Sequence, residues 1–267
     1  MTSVSRFTNG AAAPAKNGTN GTSRNGASSE PVVDVARRPS KRATVSLVIP
    51  AKNEARNLPT VLRHVPTRVD EVILVDGLST DVTQLMALSY RPDIRIVSEH
   101  RRGKGYALRA GFAAARGDII IAMDADGSMA PEEIPNFVWF LEHGFDFVKG
   151  SRFVAGGGSL DLTAFRRAGN RGLLAVANAM YQTRLTDLCY GYFGFYRKYL
   201  EHLDLLSSGF EIETELTVRA VRAGLRIAEI PSMEMPRRHG NSNLKSFPDG
   251  FRVLRTIMRE HKAAHRT

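Results

Sequence analysis

Short apolar runs alternate with amphipathic segments through the first half of the chain. The runs cover residues 44–49, 71–75, 94–97 and 118–123. Short and nearly continuous apolar runs are typical of buried parallel strands. Between them, a helical spacing of apolar positions predicts helices over residues 55–64, 81–88 and 106–115. The alternation predicts an α/β fold with an open, mostly parallel sheet flanked by helices, whose ligands bind beyond the carboxyl ends of the strands.

The second half of the chain is less regular. Its pattern predicts helices over residues 131–143, 168–181 and 211–223, and strands over residues 147–150 and 225–230. Three consecutive glycines at 156–158 predict a mobile loop.

The last segment, residues 247–262, has helical spacing with two distinct faces. One face carries Phe247, Phe251, Leu254 and Met258, and the other carries Arg252, Arg255, Arg259 and Lys262. Such a helix suits an anionic membrane surface. The same pattern also fits a helix packed on the body with its basic side in water.

Composition divides the 267 residues into three parts. Residues 1–42 are rich in small polar residues, which bury too little apolar surface to offset the entropy of ordering, so we predict a disordered basic tail. Residues 43–245 form the predicted α/β domain, and residues 246–267 form the predicted basic amphipathic helix.

The net charge of +10 is concentrated at the two ends of the chain. Residues 1–42 carry seven Lys or Arg against two acids, and residues 237–267 carry eight against two, which leaves the body near −1. A protein that binds nucleic acid more often has a basic stripe across its folded body, so we expect no nucleic-acid partner. Basic ends also suit an anionic membrane surface.

The longest apolar runs and the cysteine content further narrow the class of protein. The sequence contains no apolar run long enough to span a membrane and no apolar signal segment at its N-terminus. We therefore expect a cytoplasmic protein with possible peripheral contact at the inner face of the membrane. Cys189 is the sole cysteine, which excludes an internal disulfide and disfavours a cysteine-based zinc site.

The strongest chemical signal is Asp124-Ala125-Asp126, directly after the fourth predicted strand. In an extended chain the two carboxylates point to the same side. Hard oxygen ligands at a strand end suit Mg²⁺ or Mn²⁺, which can also bind a diphosphate. The alternative is an exposed acidic turn, because Gly127 follows the pair.

Other predicted strands also end in polar residues. The first leads into Pro50 and Glu54, the second into Asp76, and the third into the segment that contains Lys104. Ser79, Thr80 and Asp81 after Asp76 are also good N-cap residues for the next helix, and the segment around Lys104 also fits a solvated turn.

Together these segments resemble family 2 glycosyltransferases. The resemblance rests on five ordered segments, Ile49–Glu54, Val75–Asp81, Gly103–Gly105, Asp124–Ser128 and Gly150–Arg152. Thr186-Asp187, Gly191-Tyr192 and the segment from Arg238 to Leu244 are similar to the dolichyl- and polyprenyl-phosphate hexosyltransferase branch. The resemblance covers about residues 44–260 and implies a GT-A fold. Gly77 and Asn243 depart from it, since Asp and Lys are common there.

The resemblance also implies roles for individual residues. It assigns Pro50, Glu54 and Asp76 to the nucleoside, and Lys104 to the base or phosphate. It assigns the sugar diphosphate and a metal to Asp124, Asp126 and Ser128. It assigns phosphate charge to Arg152 and Arg238.

We therefore predict a metal-dependent, inverting transfer of a hexose from a UDP- or GDP-sugar to polyprenyl phosphate. Asp126 and Arg238 are the predicted catalytic residues that stabilise the leaving diphosphate. A phosphate acceptor is already anionic and needs no general base. The alternative acceptor, a hydroxyl of a saccharide or natural product, needs one, and the candidates are Asp187, Glu211, Glu213 and His239.

Two further classes agree less well with the sequence. A nucleotide- or nucleic-acid-binding protein without catalysis is supported by the basic ends alone. A nucleotidyltransferase shares acids at a strand end, but residues 50–54 do not form the glycine-rich loop expected after its first strand.

Overall fold

A computed structural model describes residues 42–240 and 246–264 of the chain. The predicted tail at 1–42 lies outside the described residues except for Arg42, and so do residues 241–245, which include Asn243.

The predicted parallel half of the sheet is confirmed. Its strands are β1 (Val45–Ala51), β2 (Glu71–Asp76), β3 (Arg95–Ser98) and β4 (Ile119–Ala122). They lie in the order β3-β2-β1-β4, all parallel. The connecting helices are α1 (Leu58–Arg63), α2 (Thr83–Tyr90) and α3 (Lys104–Ala114). The helix α3 begins two residues before its predicted start, directly after Gly103, whose φ of 138° favours glycine.

The other half of the sheet is mixed. A 3₁₀ turn (Pro131–Glu133) leads into α4 (Ile134–Glu142) and β5 (Phe147–Ser151). Next come β6 (Gly158–Ser159), α5 (Ala164–Tyr181), β7 (Phe193–Tyr196), α6 (Leu200–Leu203), α7 (Ile212–Arg222), β8 (Ile227–Pro231) and β9 (Met233–Glu234). The strand β7 runs antiparallel between β4 and β5, and β8 is parallel to β5. The predicted mobile loop at 156–158 is wrong at Gly158, because Gly158 and Ser159 pair with β9.

The core lies on both faces of the seven-stranded sheet. On one face α1 and α4 cover alternate residues of β1 and β4, and on the other face α3 and α7 cover the rest. Both faces are buried, which explains why the parallel strands read as continuous apolar runs.

The last helix, α8 (Ser246–Ala264), packs against α5 and α7. Its buried positions are Val253, Thr256, Ile257 and Glu260. Phe247 and Phe251 are 77% and 68% exposed, so the predicted apolar face is not the packed face. The carboxylate of Glu260 explains this rotation, because it bonds to Arg219, Arg222 and Arg259 at 2.8–3.0 Å and fixes the C-terminal half of the helix.

No helix within residues 42–240 and 246–264 combines the length and the apolar composition needed to cross a bilayer.

Candidate active site

One cavity of about 530 Å³ opens at the carboxyl ends of β1, β2 and β4 and continues to the space between α5 and α8. We call one part of its lining the strand end, which comprises Pro50, Glu54, Gly77, Lys104, Asp124, Asp126 and Ser128. We call the other part the helix end, which comprises Leu162, Phe165, Arg166, Leu173 and Val253. This cavity lies at the carboxyl ends of the strands, where the sequence predicts the ligand site.

Asp124 lies next to Lys104, with 2.5 Å between the carboxylate Oδ1 and the ammonium Nζ. The same ammonium bonds to Glu213 Oε1 at 2.6 Å. Burial raises the pKa of Asp124 to about 6, although Lys104 opposes that shift. Burial would lower the pKa of Lys104, but the two carboxylates offset it and raise that pKa above its usual range. Lys104 therefore remains a cation between two acids.

Asp126 is held from two sides. Its Oδ1 accepts the backbone N–H of Ser128 at 2.9 Å, and its Oδ2 lies 2.8 Å from Arg237 Nη2. Arg237 also reaches Glu54 Oε1 at 3.3 Å. Burial raises the pKa of Glu54, so the cation of Arg237 offsets an unfavourable buried charge there.

Arg237 is the residue that sequence reasoning missed at the strand end. We predicted its neighbour Arg238, but that side chain is exposed and lies near Gly127 rather than lining the cavity. Both arginines lie in an irregular segment, where no strand or helix period indicates which side chain faces inward.

The donor set at the strand end fits a divalent cation. Asp124 and Asp126 supply hard carboxylate oxygens on one loop, and Mg²⁺ in proteins is commonly bound by one or two carboxylates together with substrate phosphates. Lys104 and Arg237 each lie between two carboxylates, so the strand end keeps an excess of negative charge that a divalent cation can offset. Asp124 and Asp126 would hold the ion, and Ser128 would support Asp126 through its backbone N–H.

The residues predicted to contact the nucleoside lie on or beside two loops that are hydrogen-bonded to each other. Asn53 donates its backbone N–H to Ser79 Oγ at 2.9 Å and accepts the Thr80 N–H at 2.7 Å, while Asp81 accepts the Ala55 N–H. These polar residues therefore join the loops, and the structure shows no side-chain cap on α2.

Asp76 lies beneath the two loops and is 3% exposed. Its Oδ2 accepts from Gln84 at 2.9 Å and from the Ser79 N–H. Its Oδ1 is buried and has no partner within the described residues. A buried acceptor without a partner is costly, so a donor group on a ligand would be favoured there.

Arg152 and Asp187 form a buried ion pair, with Nε–Oδ2 and Nη2–Oδ1 distances of 2.7 and 3.0 Å. Arg152 also bonds to Glu234 at 3.2 Å and lines the cavity. Asp187 is fully buried behind Arg152 and does not line the cavity. The structure thus brings Arg152 to the site and leaves Asp187 beneath it.

Of the other predicted bases, only Glu213 lines the cavity within the described part of the chain. Its carboxylate is paired with Lys104. Glu211 is buried against the backbone N–H of Gly209 at 3.1 Å.

The helix end is mainly apolar and contains the cation of Arg166. Within residues 42–240 and 246–264, no acidic group lies within ion-pair distance of Arg166. Sequence reasoning missed Phe165 and Arg166 because it began the helix at 168. The signal was present in Thr163, whose hydroxyl caps α5 by accepting the Arg166 N–H.

Comparison with known proteins agrees with this geometry. The family model described as "Glycosyl transferase family 2" matches residues 46–204. The polyprenol monophosphomannose synthase of Mycolicibacterium smegmatis is 32% identical, over 78% of this chain and 82% of that protein. The dolichol-phosphate mannosyltransferase of Pyrococcus furiosus is 29% identical over 80% of this chain, which spans 63% of that relative's length.

A solved structure is also similar. Glucosyl-3-phosphoglycerate synthase from Mycobacterium tuberculosis, in complex with Mn²⁺, UDP and glucosyl-3-phosphoglycerate, has a TM-score of 0.65 and 26% identity. The match covers 82% of this chain and 80% of that one. Another structure of the same synthase holds Mg²⁺ and UDP. The predicted GT-A arrangement is confirmed by this likeness and by the mostly parallel sheet.

Proposed function

The chain belongs to glycosyltransferase family 2 and is a hexosyltransferase, and from that premise we propose that it transfers a hexose from a nucleoside diphosphate sugar to polyprenyl phosphate. The observation that carries this proposal is the two-ended cavity. Its strand end has a carboxylate pair suited to a metal and a diphosphate, and its helix end combines mainly apolar side chains with the cation of Arg166. These two environments match a charged donor and an anionic lipid.

The donor would bind at the strand end with its nucleoside on the two joined loops. Pro50 and Glu54 line this part of the cavity, and Asp76 supplies a buried acceptor below it. The loops are fixed by several hydrogen bonds, so little ordering entropy is lost when a nucleoside binds. The proposed donor is either a UDP-hexose or a GDP-hexose.

Transfer would proceed by attack of an acceptor phosphate oxygen on the anomeric carbon. The new C–O bond forms as the bond to the donor's diphosphate breaks, so the anomeric configuration inverts. A bound Mg²⁺ or Mn²⁺ would stabilise the charge of the leaving diphosphate. Lys104 and Arg237 would add positive charge at the same place.

The acceptor would enter through the helix end. Its phosphate would meet Arg166 or Arg152, and its isoprenoid chain would lie against Leu162, Phe165 and Val253. A phosphate nucleophile needs no general base, which agrees with the burial of Asp187 and with the pairing of Glu213 to Lys104.

The proposal is tested by incubating the protein with Mn²⁺, a panel of UDP- and GDP-hexoses, and either polyprenyl phosphate or a panel of saccharides. We expect a lipid-linked phosphosugar from at least one donor, and none when EDTA replaces Mn²⁺. Transfer to a saccharide hydroxyl alone would overturn the proposal in favour of the alternative acceptor class, with Glu213 as the candidate base.

We also propose that the rim of the helix end contacts an anionic membrane peripherally. Phe165 and Phe247 lie together with ring centroids 5.2 Å apart, and both are more than half exposed. Phe251 continues this apolar rim, and Arg252 and Arg255 beside it are exposed cations. Aromatic rings with nearby arginines suit the interface of a bilayer that contains anionic lipids.

Sedimentation with vesicles tests this contact. We expect binding to phosphatidylglycerol vesicles and weaker binding to phosphatidylcholine vesicles. The variant Phe247→Ser/Phe251→Ser should lower the partition coefficient at least about tenfold, because each ring loses burial in the bilayer. Trp139→Ser is the matched control, since Trp139 is an exposed aromatic on α4. Equal losses in both variants would contradict a contact at this rim.

A further inference from the structure

The segment Cys189–Tyr192, which we call the wall segment, reaches from the helix end of the cavity, where Cys189 packs with Leu173 and Val253, to the strand end, where Gly191 lies against Lys104. Three of its residues, Cys189, Tyr190 and Gly191, line the cavity. Three of its carbonyls accept hydrogen bonds from β5 and the residue after it. Cys189 O accepts from Arg152 at 3.3 Å, Tyr190 O from Lys149 at 2.6 Å, and Tyr192 O from the Gly150 N–H at 2.8 Å.

Lys149 is unusual among these donors because its side chain is fully buried, on β5 between β7 and β8. Lysine is almost never fully buried unless it is paired, since taking an ammonium out of water costs several kcal/mol. Burial lowers the pKa of Lys149, and the nearby acids Asp187, Glu213 and Glu229 offset that shift only in part. Its hydrogen bond, however, goes to the Tyr190 carbonyl. The mechanism proposed above does not use this ammonium.

Tyr190, whose carbonyl accepts this bond, precedes Gly191, which lies against the strand end of the cavity. An ideal Cβ at Gly191 would lie 2.6 Å from Glu213 Oε1 and 2.7 Å from Lys104 Nζ. At such distances a methyl group would displace the ends of the Glu213 and Lys104 side chains. A small shift of the wall segment toward the strand end would therefore displace Lys104, and with it the carboxylate of Asp124.

From this chain of contacts we propose that Lys149 is a positioning residue. It holds the Tyr190 carbonyl, so that Gly191 stays against Lys104 and the wall segment keeps its distance from Asp124. Its effect on catalysis rests on the proposed function, whereas its effect on the wall segment does not.

Lys149→Met tests the proposal, because it keeps much of the side-chain length and removes the donor and the charge. We expect kcat to fall roughly 100-fold, the order of loss expected when a reacting group is misplaced by about 1 Å. The donor KM should change less than about twofold, because the nucleoside loops lie on β1 and β2, away from β5. A folded variant with unchanged kcat would overturn the proposal.

Cys189 provides a second readout that does not depend on catalysis. It is the sole cysteine of the chain and lies in the wall segment. Burial raises the pKa of its thiol to about 12, so labelling by a disulfide reagent should be slow in the native protein. In Lys149→Met we expect labelling at least about tenfold faster, since the segment loses a tether.

Ile73→Val is the matched control, because Ile73 is fully buried on β2, which β1, β4 and β7 separate from β5. It should lower the melting temperature without accelerating the labelling of Cys189. Equal labelling rates in native protein, control and Lys149→Met would overturn the proposal. If Lys149→Met does not fold, Lys149→Gln is used instead, because glutamine keeps an N–H donor. Labelling of Cys189 at the native rate in Lys149→Gln would support the tether only if Cys189 is labelled faster in Gly191→Ala. Labelling of Cys189 at the native rate in both Lys149→Gln and Gly191→Ala would contradict the tether.

The two proposals can fail separately. If the native protein transfers no sugar but the variants show these labelling differences, the proposed function is contradicted and the role of Lys149 stands.

Discussion

At the strand end of the cavity Asp124, Asp126 and Glu54 each face a cation, whereas at the mainly apolar helix end no acid of the described residues lies within ion-pair distance of Arg166. The strand end is formed by loops that follow buried parallel strands, and its charges are fixed in pairs before any ligand arrives. The helix end is formed by two helices that pack on each other at the edge of the domain. The difference suits a donor whose leaving group gains charge and an acceptor whose chain is a lipid.

The largest effect is expected from breaking the carboxylate pair. Asp126→Asn should lower the rate of sugar transfer roughly 10³-fold, because the metal proposed to stabilise the leaving diphosphate would lose a charged ligand. Initial rates at saturating donor and Mn²⁺ measure this loss.

Asp161→Asn is the control for that variant, since Asp161 also lines the cavity but lies near the helix end. Its rate should stay within about threefold of the native rate. Equal losses in both variants would show that the cavity needs negative charge in general rather than a ligand at Asp126.

The next largest effect concerns the buried pair beneath the cavity. Arg152→Met should lower the free energy of unfolding by about 3–5 kcal/mol, because Asp187 is left charged and buried without its partner. Urea unfolding of the variant measures the loss.

Adding Asp187→Asn to Arg152→Met should restore part of that stability, since the buried charge is removed. The single variant Asp187→Asn also separates two interpretations of this residue. A base for a hydroxyl acceptor would lose activity at unchanged stability, whereas a buried partner of Arg152 would lose stability first.

The strand end was predicted from the sequence much more completely than the helix end. Parallel strands meet at one edge of a sheet, so Pro50, Lys104 and Asp124 could be expected to converge once the alternating pattern was recognised. Arg237 could not be chosen over Arg238, because it lies in a segment with no period.

Long-range packing explains the other differences. Apolar and polar residues do not alternate along Tyr192–Tyr196, so the segment gives no strand signal, although it contains β7, the antiparallel strand between β4 and β5. The burial of Asp187 depends on Arg152, which is 35 residues away. The packed face of α8 depends on the bond between Glu260 and Arg219. None of these long-range contacts can be predicted from the local sequence pattern.

A smaller effect is expected from the cation at the helix end. Arg166→Ala should raise the KM for polyprenyl phosphate about tenfold and leave the donor KM unchanged, because a charged hydrogen bond to phosphate is lost at that end alone. Arg167→Ala is the control, since its side chain is exposed and does not line this cavity. An increase in the donor KM instead would show that the two ends do not divide the substrates as proposed.

The smallest effect concerns an ion pair at the rim of the strand end. Bonds from Arg101 lower the pKa of Glu99 from its ordinary value of 4.5 to about 2. The folded state therefore gains stability above the unfolded pKa near 4.5 and loses it as the pH falls toward 2. Glu99→Gln should flatten the decline of the urea midpoint between pH 4.5 and pH 2. Because Arg101 is largely in solvent, the change should be slight, and a steeper decline in the variant would contradict the sign.

Sugar transfer to polyprenyl phosphate and to the unphosphorylated polyprenol of the same chain length, measured side by side with the preferred donor and Mn²⁺, tests most directly whether the two ends divide donor and lipid phosphate. We predict an inverted phosphosugar from polyprenyl phosphate and no product from polyprenol, because Asp187 and Glu211 do not line the cavity and Glu213 is paired with Lys104. Equal transfer to both lipids, or transfer to polyprenol alone, would contradict it.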